Sequence, residues 1–347
     1  MKIPIANLYY LLCYAWRHIK ETDVVRLDEL AGLSETHHLL GKVLAMGTFR
    51  LLRRGIDRGY REIREDLAGI RGKLSVSETA KRALRSRGRA ACEFEELSHD
   101  VLHNRILRST LANLLKLPDM DKEVRTEIRT AYRKLEGISL VRLSRRVFSQ
   151  VQLDRNRHVY RFLMSVCRLI HDCLVVEEKT GQVRFLDFRK DEKRMWRLFE
   201  DFVVAFFSRE QNDFKVNPGG RGIRWNDEGT REPYRLMLPR MEGDVLLDSP
   251  SRRIILDCKY YSSALSDYHG TQKLRSDNLY QLLAYLRNRE ATVPGPRHEG
   301  ILLYPVVNKP LNVDVRLEGF SIRARGIDLA QNWQNIREDM LAFLAPQ

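Results

Sequence analysis

The chain has 347 residues, more than one ordinary hydrophobic core supports, so two domains are expected. Apolar residues make up 43% and charged residues 31%, with a mean hydropathy of −0.41, a soluble composition that excludes wholesale disorder. The net charge is +14, and no apolar run approaches the roughly 20 residues that cross a bilayer, so a membrane-spanning chain is excluded too.

The N-terminus imitates a secretion signal, with Lys2 ahead of an apolar stretch. Pro4, Asn7, Arg17 and His18 interrupt or end it and no small-residue cleavage site follows, so 5–20 is read as an amphipathic helix. A second helix over 36–54 follows from Leu39, Leu40, Val43 and Leu44. Glycines 55, 59, 69 and 72 punctuate the next segment, around a short strand at 70–74, and 90–97 reads as another strand. Helices are expected over 100–117, ended by Pro118, and over 125–135, 160–176 and 191–211. Beyond the Gly/Asn/Asp-rich stretch 217–229 the pattern changes. Strands at 245–247, 254–256, 301–307 and 320–323 alternate with helices at 276–289 and 329–344. The change places a domain boundary between 176 and 192, set at 185/186. The fold class expected is a mostly helical α+β N-terminal domain, 1–185, followed by an α/β domain, 186–347.

Charge differs between the parts. Residues 51–200 carry 34 Lys/Arg against 22 Asp/Glu, whereas 201–347 carry 20 against 19. A basic middle fits a nucleic-acid-facing surface and equally fits solvated helix faces. Cys13, Cys92, Cys167, Cys173 and Cys258 are odd in number and form no C-x-x-C pair, which argues against disulfides, a zinc ribbon or an iron–sulfur cluster and suits a reducing cytoplasm. The pairs His37/His38 and His99/His103 lack a matching third ligand and read as solvated or capping residues.

The segment 244–259 carries the chemistry. Asp248-Ser249-Pro250-Ser251 is a turn sequence, and a hairpin folded about Pro250/Ser251 sets Asp244 opposite Asp257. Alternation along the second strand sends Asp257 and Lys259 to one face and Cys258 to the other. Two acids and an ammonium then converge, an arrangement able to share Mg²⁺ and hydrolyse a phosphodiester. The same spacing also suits a surface hairpin with a salt bridge. On the following helix Leu279, Leu282, Leu283 and Leu286 form the apolar stripe, while Asn278, Gln281 and Tyr285 flank it. Gln281 and Tyr285, one turn apart, resemble the Q-x-x-x-Y element of RecB-like nucleases, and also suit a half-exposed helix face. Glu200, on the helix before the sheet, could add a third carboxylate to the metal, although helix-surface charge is the commoner role and the reading preferred. Lys273 and Arg275, between hairpin and helix, are candidate phosphate contacts.

Taken together, the chain resembles the McrC family, the nuclease subunits of McrBC modification-dependent restriction systems. The resemblance runs through Ile3-Pro4-Ile5-Ala6-Asn7-Leu8-Tyr9-Tyr10, Gly69-Ile70-Arg71-Gly72-Lys73, Asn104-Arg105-Ile106 and Tyr132-Arg133-Lys134-Leu135. It continues through Leu238-Pro239-Arg240-Met241-Glu242-Gly243-Asp244, Asp257-Cys258-Lys259-Tyr260-Tyr261, Asn278-Leu279-Tyr280-Gln281-Leu282 and Tyr304-Pro305. It implies a C-terminal PD-(D/E)xK restriction-endonuclease-like domain with Asp244, Asp257 and Lys259 as its triplet, Gly243 standing where the fold's name has proline. It implies a Mg²⁺-dependent endodeoxyribonuclease cutting double-stranded DNA that carries modified cytosine such as 5-methylcytosine. The implied partner is a McrB-like AAA+ hexamer that binds GTP and whose hydrolysis the N-terminal domain stimulates, with a dimer through the nuclease domain. The sequence itself lacks G-x-x-x-x-G-K-[ST] and so is no motor. Two other readings stand beside this one: an NTPase-activating binding subunit with a dispensable nuclease, and a stand-alone RecB-like repair nuclease.

Overall fold

The computed structural model describes residues 3–346 except 19–23, 26, 31, 178–180, 220–221, 228, 262–264 and 269–270. Positions 19 and 20 of the expected first helix lie outside them. The chain forms two compact units, one of 37–186 and one of 1–36 with 187–347. This corrects the linear division at 185/186, because helix α1 (Ile5–Ala15) belongs to the C-terminal unit. The physical reason is local. Asn7 Nδ2 donates to the carbonyls of Leu329 and Gln331, both at 2.8 Å, and Tyr10 stacks on Trp333 with ring centroids 4.4 Å apart.

Residues 37–186 hold α2 (Thr36–Arg54), β1 (Gly59–Leu67), β2 (Lys73–Leu74), α3 (Val76–Lys81), β3 (Ala90–Ser98), α4 (Leu102–Leu114) and α5 (Lys122–Lys134). They continue with α6 (Arg145–Ser149), α7 (His158–Cys173), β4 (Leu174–Val176) and β5 (Val183–Phe185). Leu40, Val43, Leu44, Ile106, Leu107, Leu111, Leu163 and Ile170 are buried, forming the helical core expected from their spacing. Strands β2 and β1 flank β3, both antiparallel to it. The sharp turn before β2 needs glycine: Gly72 has φ +66°, and a Cβ there would meet the Glu93 carbonyl.

The other unit adds α8 (Glu192–Glu210), β6 (Lys215–Pro218), β7 (Val245–Asp248), β8 (Arg253–Cys258), β9 (Ser266–Tyr268), β10 (Thr271–Lys273) and α9 (Ser276–Thr292). It closes with β11 (His298–Val306), β12 (Asn312–Leu317), β13 (Phe320–Asp328) and α10 (Trp333–Ala342). One mixed sheet runs β12-β13-β11-β8-β7-β6, with β8, β11 and β13 parallel and the remaining pairs antiparallel. Helix α9 is the crossover that joining parallel β8 and β11 requires. Its Leu282 and Leu286 pack with Leu246, Ile255, Leu302 and Ile322, the alternate residues of four strands. Gly300 permits this approach, since a Cβ there would stand 2.8 Å from Leu282 Cδ2. Helix α8, capped by the Asp191 side chain on Arg194 N–H, contacts β6 and β8 and meets α1, where Tyr14 lies edge-on to Phe202 at 5.7 Å.

Among the described residues no helix is long and apolar enough to cross a membrane. All five cysteines are buried and none is disulfide-bonded.

Candidate active site

The β7–β8 hairpin closes through Ser249, whose N–H donates to the Arg252 carbonyl (2.9 Å) and whose Oγ accepts the Arg252 N–H (2.9 Å). Its register is Val245↔Leu256, Leu246↔Ile255, Leu247↔Ile254 and Asp248↔Arg253. One step further along the same register, Asp244 falls opposite Asp257. There the ladder gives way to a side chain: Asp244 Oδ2 accepts the Cys258 N–H at 2.6 Å. The backbone of Lys259 still extends the sheet, donating to Leu303 O at 2.8 Å. Gly243 sits in a tight slot, where an added Cβ would stand 3.3 Å from Ile223 Cδ1 and 3.4 Å from Ile255 Cγ2.

Asp257 is 2% exposed, and Lys259 Nζ lies 2.6 Å from its Oδ2. That contact is an ion pair without hydrogen-bond alignment, so a buried carboxylate oxygen is left with no aligned donor. Lys259 Nζ also donates to Gln281 Oε1 at 2.6 Å, Gln281 Nε2 donates to Tyr285 Oη at 2.8 Å, and Tyr285 donates to the Glu242 carbonyl at 2.9 Å. The four residues Asp257, Lys259, Gln281 and Tyr285 therefore form one chain of contacts that returns to the backbone two residues before Asp244. The facing is what strand alternation and helical spacing require. Cys258 points away, its thiol fully buried and its carbonyl accepting Trp196 Nε1 (3.2 Å) from α8.

Electrostatics show what this cluster lacks. Burial, then the charges of Asp257 and Glu200, push the Asp244 carboxyl up to about 8, against a smaller opposite pull from the Cys258 N–H and Lys259. Burial also raises Asp257, opposed by Lys259. Burial, the largest single influence, would depress the Lys259 ammonium, yet Asp257, Asp244 and Tyr261 together outweigh it and the net direction is upward. Glu200 is raised by burial, Asp201 and Asp257. The α8 acid that reads as surface charge in the sequence is thus half-buried and electrostatically linked to the pair; a carboxylate on the otherwise apolar inner part of α8 was the signal available.

These donors suit a divalent cation. One buried carboxylate oxygen lacks an aligned donor, a second carboxyl is strained toward protonation, and both are the hard oxygen ligands that Mg²⁺ takes alongside retained water. Among the described residues no group of three or more His, Cys, Asp or Glu side chains is gathered for a metal, so the offer is a pair. The histidines are engaged otherwise. His38 Nε2 meets Asp119 O at 2.9 Å, and His103 Nε2 lies 3.0 Å from Asp57 Oδ2, with His99 Nδ1 3.2 Å from Asp57 O.

Of the two phosphate-contact candidates, Lys273 is exposed at the end of β10, while the Arg275 guanidinium lies over the Tyr261 ring at 4.4 Å. Tyr261 in turn donates to Asn278, and Asn278 to Tyr304, behind the site. A cleft of about 1230 Å³ adjoins the acid pair through Glu200, Gly219 and Glu242, although Asp244, Asp257 and Lys259 do not line it. Its walls include Arg17, Arg224, Trp225, Leu238 and Arg240.

The family described as "McrBC 5-methylcytosine restriction system component" matches residues 7–305. The "Type IV methyl-directed restriction enzyme EcoKMcrBC" of Escherichia coli (strain K12) is 34% identical over 339 residues, covering 98% of this chain and 96% of that protein. Among solved structures, the chain is similar to a component of a "half-complex from tetradecameric assembly of Thermococcus gammatolerans McrB AAA+ hexamers with bound McrC". The TM-score is 0.61 at 18% identity, covering 98% of this chain and 76% of that one, a likeness of fold.

Proposed function

The chain belongs to the McrC family of McrBC restriction systems, and from that membership we propose that it is the DNA-cleaving subunit, a phosphodiester hydrolase built on a PD-(D/E)xK domain. The observation that carries the reading is the hairpin register, which sets Asp244 against Asp257 with Lys259 Nζ 2.6 Å from the latter.

Asp244 and Asp257 would hold Mg²⁺, which when bound polarises the phosphoryl group and favours hydroxide over water. The chain's own groups do the positioning. Lys259 spends one N–H on Gln281 and holds Asp257 as an ion pair, and its remaining donor capacity is left to orient the attacking water or to offset charge growing on the phosphoryl oxygens. Gln281 and Tyr285 hold the ammonium in register with the Asp244 approach. Lys273 and Arg275 contact phosphates of the bound duplex. Residues 37–186 dock on a McrB-like AAA+ GTPase hexamer and stimulate its hydrolysis, the partner supplying GTP binding, translocation and selection of modified cytosine. A dimer through the nuclease unit brings two such sites to opposite strands.

The test is one reconstituted mixture in which DNA cleavage and partner GTP hydrolysis are both measured. Asp244→Ala, Asp257→Ala and Lys259→Ala each lower cleavage by at least about a hundredfold and leave stimulated hydrolysis near the wild-type rate. Cleavage that survives all three substitutions overturns the assignment.

A further inference from the structure

Residues 231–240 are all exposed, and within them Tyr234, Leu236 and Met237 are 67%, 79% and 76% exposed. Such a display is costly in water unless something covers it. The segment is braced rather than loose. Arg235 holds Asp227 at two points (2.8 and 2.9 Å), Trp225 Nε1 donates to Pro239 O (2.6 Å), and Asn226 N–H donates to Asn288 Oδ1 on α9 (2.8 Å). The apolar side chains are therefore held outward by fixed backbone, seven to ten residues before Asp244.

Charge around the turn is mixed, since Glu200, Asp201, Asp227 and Glu242 line the cleft as well, but two of its arginines stand unopposed. Arg224 and Arg240 line the adjoining cleft, are exposed, and have no acidic partner among the described residues; Arg231 is exposed on the same segment. Apolar tips interleaved with arginine also occur at protein–protein interfaces, so the nearness of the acid pair is what favours nucleic acid here. They match surfaces that hold phosphates with arginine and press apolar groups between base steps. The position agrees: Glu242 and Gly219, beside Asp244, line this cleft, so it lies open to a strand whose linkage is held at Asp244.

We propose that the turn Tyr234–Leu238, with Arg224 and Arg240, grips the DNA flanking the scissile linkage, the arginines on its phosphates and the apolar turn against its bases. The proposal rests on the nuclease reading, and its test separates the two.

The full-length chain is titrated, without Mg²⁺ so that nothing is cut, into a duplex oligonucleotide carrying 2-aminopurine at successive positions. Wild type raises the fluorescence at one or two adjacent positions as a base unstacks. The Leu236→Ser/Met237→Ser double variant loses that signal and binds about tenfold more weakly. Arg224→Ala/Arg240→Ala keeps the position of the signal, weakens binding for every sequence, and flattens the salt dependence by about two phosphate contacts. Wild-type binding and fluorescence in both double variants overturn the proposal. So does a change of oligomeric state by light scattering with DNA binding intact, which assigns the turn to a second copy. Cleavage is measured separately with Mg²⁺: cleavage retained in Asp244→Ala defeats the nuclease reading alone, whereas loss of the 2-aminopurine signal in the turn variant is read without reference to the acid pair.

Discussion

Asp244→Asn isolates the electrostatic state of the site. The substitution keeps the oxygen that accepts the Cys258 N–H and deletes only the ionisable charge. In the folded chain the Asp244 carboxyl is pushed up to about 8, first by burial and then by Asp257 and Glu200, whereas in the unfolded chain it titrates near the ordinary carboxylate value of about 4. The folded state thus holds a proton that the unfolded state has released, so stability from this group is full below about pH 4 and is lost as pH rises toward 8. The gap sets a ceiling of about 5 kcal/mol. Partial access of water to the carboxyl and relaxation around it reduce the expected effect to about 2 kcal/mol, or roughly 4–8 °C in Tm for a unit of this size. Thermal unfolding in EDTA should show the Asn variant matching wild type below about pH 4 and exceeding it by that margin at about pH 9. Millimolar Mg²⁺ at pH 8 should stabilise wild type and leave the variant where it was. A variant no more stable than wild type at pH 9, or one that gains equally from Mg²⁺, refutes the account of two acids short of positive charge.

Three other outcomes follow from the geometry. Tyr285→Phe removes the hydroxyl that joins Gln281 to the Glu242 carbonyl; the two lost hydrogen bonds, at about 1 kcal/mol each, should lower Tm by roughly 4–8 °C, and single-turnover cleavage should fall by about tenfold as the ammonium loses its support. A fragment of residues 187–347 should fail to fold, because α1 supplies the Asn7 bonds to Leu329 and Gln331 and the Tyr14 bond to Glu210; joining 1–36 to it through a short linker should restore a cooperative transition by circular dichroism. Gly300→Ala forces a methyl to within 2.8 Å of Leu282 Cδ2, and denaturant unfolding should register a loss of about 1–3 kcal/mol.

The hairpin register was legible because Ser249-Pro250-Ser251 fixes where the chain turns, and a period of two then dictates every partner. The facing of Gln281 toward Lys259 follows in the same way from helical spacing after a crossover. Strand β1 was hidden by its own composition: Gly59–Leu67 is charged on both faces, so the alternation that marks a half-buried strand is missing. Edge strand β12 does alternate, with Val313, Val315 and Leu317 inward, but lies among residues whose turn signals are equally strong. The placement of α1 was beyond any local signal, since its bonds to Leu329 and Gln331 span more than three hundred residues. Both ends of the inserted unit leave from one brace instead: Thr36 Oγ1 donates to Asp187 at 3.2 Å, and Arg189 grips Asp187 while donating to Ser34 O. Insertion at two neighbouring points leaves a domain's core intact, which is why hydropathy along the chain registers the break near 186 and is silent about the one at 36.

The charge balance of the site explains why residues so poorly matched to burial sit together. With all groups ionised, Asp244 and Asp257 against Lys259 leave one uncompensated negative charge, and Glu200 adds a second contribution from α8. Such a cluster repels a phosphodiester, which is itself an anion, so the three side chains alone are an unfavourable substrate site. On the proposed reading a divalent cation between the acids reverses the sign: the triplet with its ion carries one net positive charge, matched to the single negative charge of a backbone linkage. Substrate binding and catalytic competence then share one switch, and protonation of Asp244 opposes both. Cleavage should therefore rise with pH through the range in which Asp244 loses its proton, and higher Mg²⁺ should move that rise to lower pH, because cation and proton compete for the same oxygens. A rise whose midpoint ignores Mg²⁺ concentration would detach the titration from the acid pair.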